Sequence, residues 1–81
     1  MIGELKSNSR LIGLKQSTRA IEEGQAIKAF AALDTAPDIL KKFVILCDDN
    51  GVAIEYVETM AQLGEICEID VGASVAVITK S

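Results

Sequence analysis

Turn-forming residues divide this chain into short segments that alternate between strand and helix patterns. Four segments have the length and apolar composition of strands, namely residues 11–13, 26–33, 52–57 and 73–79. Helical spacing is found between them, at residues 15–23, 36–49 and 59–66. This alternation predicts an α/β fold, a three-layer α/β/α sandwich around a mixed sheet of about four strands. A short helix is also predicted at residues 4–9.

The chain has 81 residues, of which 49% are hydrophobic. This length predicts a single domain, residues 1–81. A chain of this size buries only roughly 60% of its unfolded surface, so its stability depends on close packing. The apolar content is too high for a disordered chain.

Two helices carry further signals at their ends. Gly24 stands where the C-terminal cap of the first helix belongs. Thr59, followed three residues later by Gln62, predicts a capping box at the start of the third helix. Three residues of the first helix are spaced to form its inner face, namely Ser17, Ala20 and Ile21.

The second helix is predicted to start at a similar signal. Thr35 and Asp38 have the spacing of a capping box, and Pro37 lies in the first turn, where its missing N–H costs little. Asp34 and Asp38 are therefore interpreted as caps and not as an acid/base pair.

The absence of histidine excludes most nucleophilic catalysis and all His-ligated metal sites. Cys47 and Cys67 are 20 residues apart and form no C-x-x-C pair. We expect reduced thiols in apolar surroundings, although one disulfide remains formally open. The sequence therefore predicts a protein that is not an enzyme and holds no cofactor or metal.

No apolar run approaches the roughly 18 residues of a membrane span. The first six residues also lack the apolar centre of a signal peptide. We therefore expect a cytoplasmic protein with no membrane partner.

Charge is distributed unevenly along the chain. The net charge of −4 and the pI of about 4.6 argue against a general nucleic-acid binder. However, residues 1–30 hold five basic and three acidic residues, whereas residues 31–81 hold three basic and nine acidic ones. The early cations either share a face that meets a polyanion or belong to ordinary solvated surface.

The junction between the first strand and the first helix is the most informative segment. Gly13 ends the strand, and the free N–H groups at the start of the following helix are receptive to phosphate. Gln16 can offer a donor and an acceptor together to a base edge. Lys15 and Arg19 share a helical face that suits an anionic partner, but pairing of Arg19 with Glu22 or Glu23 explains the pattern equally well.

The loop at residues 69–71 precedes the last strand and contains Ile69, Asp70 and Val71. An exposed Ile or Val there can contact an unstacked base. In the alternative interpretation, the loop folds its apolar residues onto the core.

Several segments in order carry a resemblance to a known family. They are Ile12 to Ser17 with Gly24, Asp34 to Pro37, Leu46 and Cys47 before Gly51, Leu63 and Gly64, and Ile69 to Ser74. With these segments the chain resembles the kink-turn-binding ribosomal protein superfamily, in particular its small bacterial ribosome-associated members. The resemblance extends from about residue 11 to residue 78 and implies the same sandwich fold.

The resemblance also implies a site that enters the major groove of sharply bent RNA. By position, Gly13 allows close backbone approach, Lys15 and Gln16 read purine edges, and Ser17 and Arg19 hold phosphate or sugar.

The family's final loop corresponds to Ile69, Asp70 and Val71, which would rest against the extruded nucleotide. Lys28 matches a basic position near the same surface. The implied partner is a structured RNA of the kink-turn type, including ribosomal RNA.

Three positions depart from the family pattern. Leu33 replaces a basic residue, Glu65 follows Leu-Gly where Lys or a small residue is usual, and Glu68 replaces a glycine. The leading hypothesis is a non-catalytic, ribosome-associated protein that binds kink-turn RNA. The alternative is an acidic protein–protein interaction module of the same fold that has lost RNA binding.

Overall fold

The computed structural model describes residues 9–80, which form a mixed four-stranded sheet with helices on both faces. Along the chain the elements are β1 (Arg10–Ile12), α1 (Leu14–Glu22), β2 (Ala26–Ala32), α2 (Pro37–Asp49), β3 (Ala53–Val57), α3 (Met60–Ile66) and β4 (Val75–Thr79). This order confirms the predicted alternation. The short helix predicted at residues 4–9 lies outside the described residues except for Ser9, which is not helical.

The strands follow the order β1-β4-β2-β3 across the sheet. β4 is antiparallel to both neighbours, β1 and β2, whereas β2 and β3 are parallel. As a result β1, β2 and β3 all end where β4 begins. We call this the upper end of the sheet; it is marked by Ile12, Ala32, Val57 and Val75. The β1–α1 junction and the loop before β4 therefore meet at one end of the molecule.

The side chains of β4 alternate between two apolar clusters because successive strand residues point to opposite faces. Val75 and Val77 pack with α1 and α2, whereas Ala76 and Ile78 pack with α3. The helices thus cover both faces, which confirms the predicted three-layer sandwich.

The ends of two helices agree with their predicted signals. Gly24 has a φ of 73°, and the N–H groups of Gly24 and Gln25 donate to the carbonyls of Ile21 (3.1 Å) and Ala20 (2.8 Å). These two bonds form a Schellman motif that closes α1. At the start of α3, the Oγ1 of Thr59 accepts the N–H of Gln62 at 3.0 Å.

The capping box predicted for α2 is wrong. Its N-cap is Ala36, which makes no side-chain cap, and Pro37 is the first helical residue. Thr35 therefore lies one residue too early to reach the N–H groups of the first turn. Its buried hydroxyl instead donates to the carbonyl of Ser74 at 3.3 Å.

Candidate nucleic-acid interface

Gly13 forms the turn between β1 and α1 with a φ of 101°. This conformation favours glycine because L side chains rarely adopt it. No atom lies within 4 Å of the position that a Cβ would occupy, so conformation and not crowding selects glycine here. The N–H of Gly13 donates to the carbonyl of Val75 at 2.9 Å, which fixes the start of α1 beside the start of β4.

The first turn of α1 presents polar groups at the upper end of the sheet. As at the start of any α-helix, the N–H groups of residues 14–16 have no intrahelical acceptor, and Gly13 has no side chain that can cap them. The side chains of Lys15 and Gln16 are both exposed beside them. A charged group, an amide and free N–H groups thus lie together at the start of α1.

Arg19 lies one turn further along α1, and its charge is balanced by Glu23. Its Nε is 3.2 Å from Oε2 of Glu23, and the two side chains are 78% and 56% exposed. The intrahelical pairing that the sequence left open is therefore present. An exposed pair of this spacing contributes only about 0.3–0.5 kcal/mol, so an incoming phosphate can readily compete for Arg19.

Ser17 is placed where it cannot take its predicted contact with phosphate or sugar. It is completely buried on the inner face of α1, beside Ala20 and Ile21. Its hydroxyl finds no hydrogen-bond partner within residues 9–80. The inner-face prediction for Ser17 is confirmed. Because the side chain is buried, a ligand cannot contact it.

Lys28 is not brought to the upper end of the sheet. It lies on β2 opposite Ile78, four residues before Ala32, which corresponds to about 13 Å of extended strand. Its Nζ is 3.0 Å from Oε1 of Glu55 and 5.5 Å from the centroid of the Phe30 ring. The strand register therefore separates Lys28 from the other predicted residues, and Glu55 balances its charge.

In the loop at residues 69–71, each of the two interpretations holds for one of the apolar residues. Ile69 is half-buried against the cluster beneath α3, and its N–H donates to the carbonyl of Gly64 at 3.1 Å. Asp70 is exposed, and Val71 has 70% of its surface exposed. The core thus takes one apolar side chain of the loop and leaves the other in solvent.

The loop reaches the upper end of the sheet by crossing α3 at close range. A Cβ on Gly64 would collide with the carbonyl oxygen of Val71, so only glycine permits this approach. Gly72 packs against Met60. A Cβ added to Gly72 would lie only 3.2 Å from the Cβ of Met60. The N–H of Ala73 then donates to the carbonyl of Met60 at 3.0 Å, which anchors the end of the loop on the first residue of α3.

Two polar residues that support this loop were not predicted as site residues. Oδ1 of Asp34 accepts the N–H of Met60 at 2.8 Å, so Asp34 caps α3 and not the helix that follows it in sequence. Nη2 of Arg10 donates to the carbonyl of Cys67 at 2.8 Å, at the other end of the loop. These contacts join residues 26 and 57 positions apart, so local sequence patterns carry no signal for them.

Within residues 9–80, no three His, Cys, Asp or Glu side chains come together as a metal site would require. No helix in the same part of the chain has the length and apolarity needed to cross a membrane.

Residues 4–81 match the sequence pattern of the ribosomal protein L7Ae/L30e/S12e/Gadd45 family. The chain belongs to this family. Among its relatives, RNA-binding protein TTE2299 of Caldanaerobacter subterraneus is 36% identical over 67 residues, which cover 83% of this chain and 82% of the relative. RNA-binding protein YbxF of Geobacillus stearothermophilus is 33% identical over 94% of this chain and 93% of its own length.

Two other proteins extend the comparison. Large ribosomal subunit protein eL8 of Haloquadratum walsbyi is 33% identical over 82% of this chain and 56% of its own length. The solved structure of a 15.5 kD RNA-binding protein from Giardia lamblia superimposes with a TM-score of 0.89, covering 99% of this chain and 71% of that protein. Its sequence identity is 24%, so this likeness supports the fold alone.

Glu68, where the resemblance implies glycine, adopts a backbone conformation that favours glycine. Glu68 has a φ of 62°. Its N–H donates to the carbonyl of Glu65 at 3.0 Å, and together with the bond from Ile69 to Gly64 this closes α3 in a second Schellman motif. A non-glycine residue in this conformation costs about 1–2 kcal/mol.

The other departures surround the site unevenly. Leu33 follows β2 at the upper end of the sheet and is 54% exposed. Glu65 is exposed and directly follows Gly64, the α3 residue that the carbonyl of Val71 approaches closely. Leu33 therefore supplies no cation at the upper end of the sheet, and Glu65 and Glu68 both lie beside the loop at residues 69–71.

Proposed function

We propose that this protein binds structured RNA of the kink-turn type, without catalysis and in association with the ribosome. The observation that carries the proposal is the bond from Gly13 to the Val75 carbonyl. It brings the open first turn of α1 to the same end of the sheet as the exposed tip of the loop at residues 69–71. The relatives named RNA-binding proteins support RNA as the ligand, and the relative named ribosomal protein eL8 supports the ribosome as its setting.

In the proposed complex the first turn of α1 enters the major groove of the bent RNA. Ordinary A-form RNA has a major groove too narrow for side chains, so only a bent or opened helix admits this turn. Gln16 then donates and accepts at a purine edge, while Lys15 and the free N–H groups hold phosphate oxygens. Arg19 joins them by exchanging Glu23 for phosphate.

The loop at residues 69–71 completes the proposed site from the other side. Val71 offers an exposed apolar surface against which an unstacked nucleotide can rest. Ser17 and Lys28 are left out, because the first is buried and the second is paired far from the upper end. Because these contacts need the bent conformation, binding shifts the RNA population toward it.

The acidic interaction module receives less support. It requires Glu65 and Glu68 to cancel the cations of the site, yet Glu65 belongs to α3, which covers the face of the sheet opposite α1 with its Lys15 and Arg19. The net charge of −4 still matters, since it disfavours binding to RNA without regard to shape. We therefore expect selective binding with few phosphate contacts and a shallow salt dependence.

The direct test is titration of a labelled kink-turn RNA at low salt with wild type and Gln16→Ala. Loss of a bidentate base contact typically costs about 1–3 kcal/mol, so we expect Kd to rise roughly 5- to 150-fold. Gln62→Ala, which removes an exposed glutamine from α3, is the matched control and should leave Kd unchanged. An RNA with Watson–Crick pairs in place of its sheared G·A pairs should bind weakly.

Two results would contradict the proposal. One is the absence of binding to any kink-turn RNA at low salt. The other is equal binding by wild type and Gln16→Ala, which would remove the first turn of α1 from the interface.

A further inference from the structure

A polar groove runs along one side of the molecule, between α1 and the neighbouring strands β1 and β4. Its volume is about 310 Å³. The polar and charged side chains that line it are Gln16, Arg19, Glu23, Gln25, Thr79 and Lys80. We call this the flank groove.

The flank groove is continuous with the proposed interface because Gln16 and Arg19 belong to both. From Gln16 to Glu23 the axis of α1 rises about 10 Å, so the groove leads away from the upper end of the sheet. Its far end is fixed where the N–H of Lys80 donates to the carbonyl of Gln25 at 2.9 Å. A ligand that contacts Gln16 and extends downward along α1 therefore meets Lys80.

The charges of the flank groove suit an anionic chain. Arg19 and Lys80 are cations, and Glu23 is the one acidic residue among its lining side chains. Within the part of the chain that is described, Arg19 is paired with Glu23, whereas no carboxylate forms an ion pair with Lys80. The amides of Gln16 and Gln25 add hydrogen-bond donors of the kind that bind phosphate oxygens.

We propose that the flank groove holds the phosphodiester backbone of an RNA stem as it leaves the bend. Lys80 is then a second phosphate contact, outside the site at the upper end of the sheet. Glu23 limits the affinity, since it neutralises Arg19 and repels phosphate. This inference rests on the proposed function and adds that the affinity depends on the length of the RNA stem.

The first experiment compares Lys80→Gln with Lys41→Gln, a matched removal of one exposed cation from α2. Each variant is titrated with kink-turn RNAs in which one stem at a time is long or trimmed close to the bend. Lys80→Gln should weaken binding about 3- to 10-fold with one long stem and reduce the salt slope by about one phosphate contact. When that stem is trimmed, Lys80→Gln should bind the RNA with the same affinity as wild type. Lys41→Gln should bind every RNA with wild-type affinity.

The second experiment uses two neighbouring acids of α1. Glu23→Gln removes the acid of the flank groove, whereas Glu22→Gln makes the same change of net charge at a residue that does not line it. Glu23→Gln should tighten binding of the long-stem RNA several-fold, and Glu22→Gln should change it by less than about twofold, since 0.15 M salt weakens the effect of an exposed charge outside the groove.

The outcomes separate this inference from the proposed function. If wild type binds kink-turn RNA and Gln16→Ala does not, but Lys80→Gln and Glu23→Gln behave like their controls, the flank groove carries no RNA and only this inference fails. If wild type binds no RNA, both fail. Retained folding of each variant is checked by circular dichroism.

Discussion

At the scale of single residues, Glu68 is the clearest mismatch between side chain and backbone. Within residues 9–80 it is the one non-glycine residue with positive φ, and it occupies the position where the Schellman motif of α3 favours glycine. Relief of the strain is partly offset by the greater freedom of glycine in the unfolded chain. We therefore expect Glu68→Gly to raise the free energy of unfolding by about 0.5–1 kcal/mol, measured by urea denaturation.

Glu68→Ala is the matched control for this prediction. It removes the same charge but keeps a Cβ, so it leaves the backbone strain in place. If both variants gain stability equally, charge repulsion and not the φ of 62° explains the gain.

At the scale of elements, the loop before β4 depends on α3, and α3 depends on Asp34. The carboxylate of Asp34 accepts the N–H of Met60, the same residue whose carbonyl anchors Ala73 at the end of the loop. Loss of a cap typically costs about 1 kcal/mol. We expect Asp34→Ala to lower the free energy of unfolding by that amount and to speed hydrogen exchange of the Met60 amide.

Asp38→Ala provides the comparison for Asp34→Ala. Asp38 is an exposed acid in the first turn of α2, where it gains only the favourable interaction with the helix dipole, about 0.3–1 kcal/mol. It should leave exchange of the Met60 amide unchanged. Equal effects of the two variants on that amide would show that Asp34 does not position α3.

The elements themselves were predictable because each is encoded locally. The inner face of α1 follows from helical spacing, and the end of α1 follows from Gly24, whose positive φ the Schellman motif requires. Thr59 was also predicted correctly, since its partner Gln62 is three residues away.

The errors arose where a distant contact decides the outcome. Thr35 is adjacent to a helix start but bonds Ser74, 39 residues away, because the chain folds it under the loop. Lys28 matched a family position in sequence, but sheet register places it opposite Ile78 and beside Glu55. Neither register nor cross-sheet pairing can be derived from the spacing of residues within one segment.

At the scale of the whole molecule, the sheet separates the two thiols. Cys47 is buried in the cluster beneath α1 and α2, and Cys67 is buried in the cluster beneath α3. Both are free. Burial raises the pKa of Cys67, although the nearby Arg10 charge lowers it in part.

Ionisation of the buried Cys47 thiol should lower the free energy of unfolding in alkaline solution. Burial raises the pKa of this thiol from 9.0 to about 11. The folded state thus holds its proton longer than the unfolded state, so the stabilisation is complete below pH 9 and is lost as pH rises toward 11. Between pH 8 and 10.5 the free energy of unfolding should fall by about 2 kcal/mol more in wild type than in Cys47→Ala, measured by urea denaturation at each pH. Groups common to both proteins cancel in this difference, and parallel pH profiles would show that ionisation of Cys47 is not coupled to unfolding.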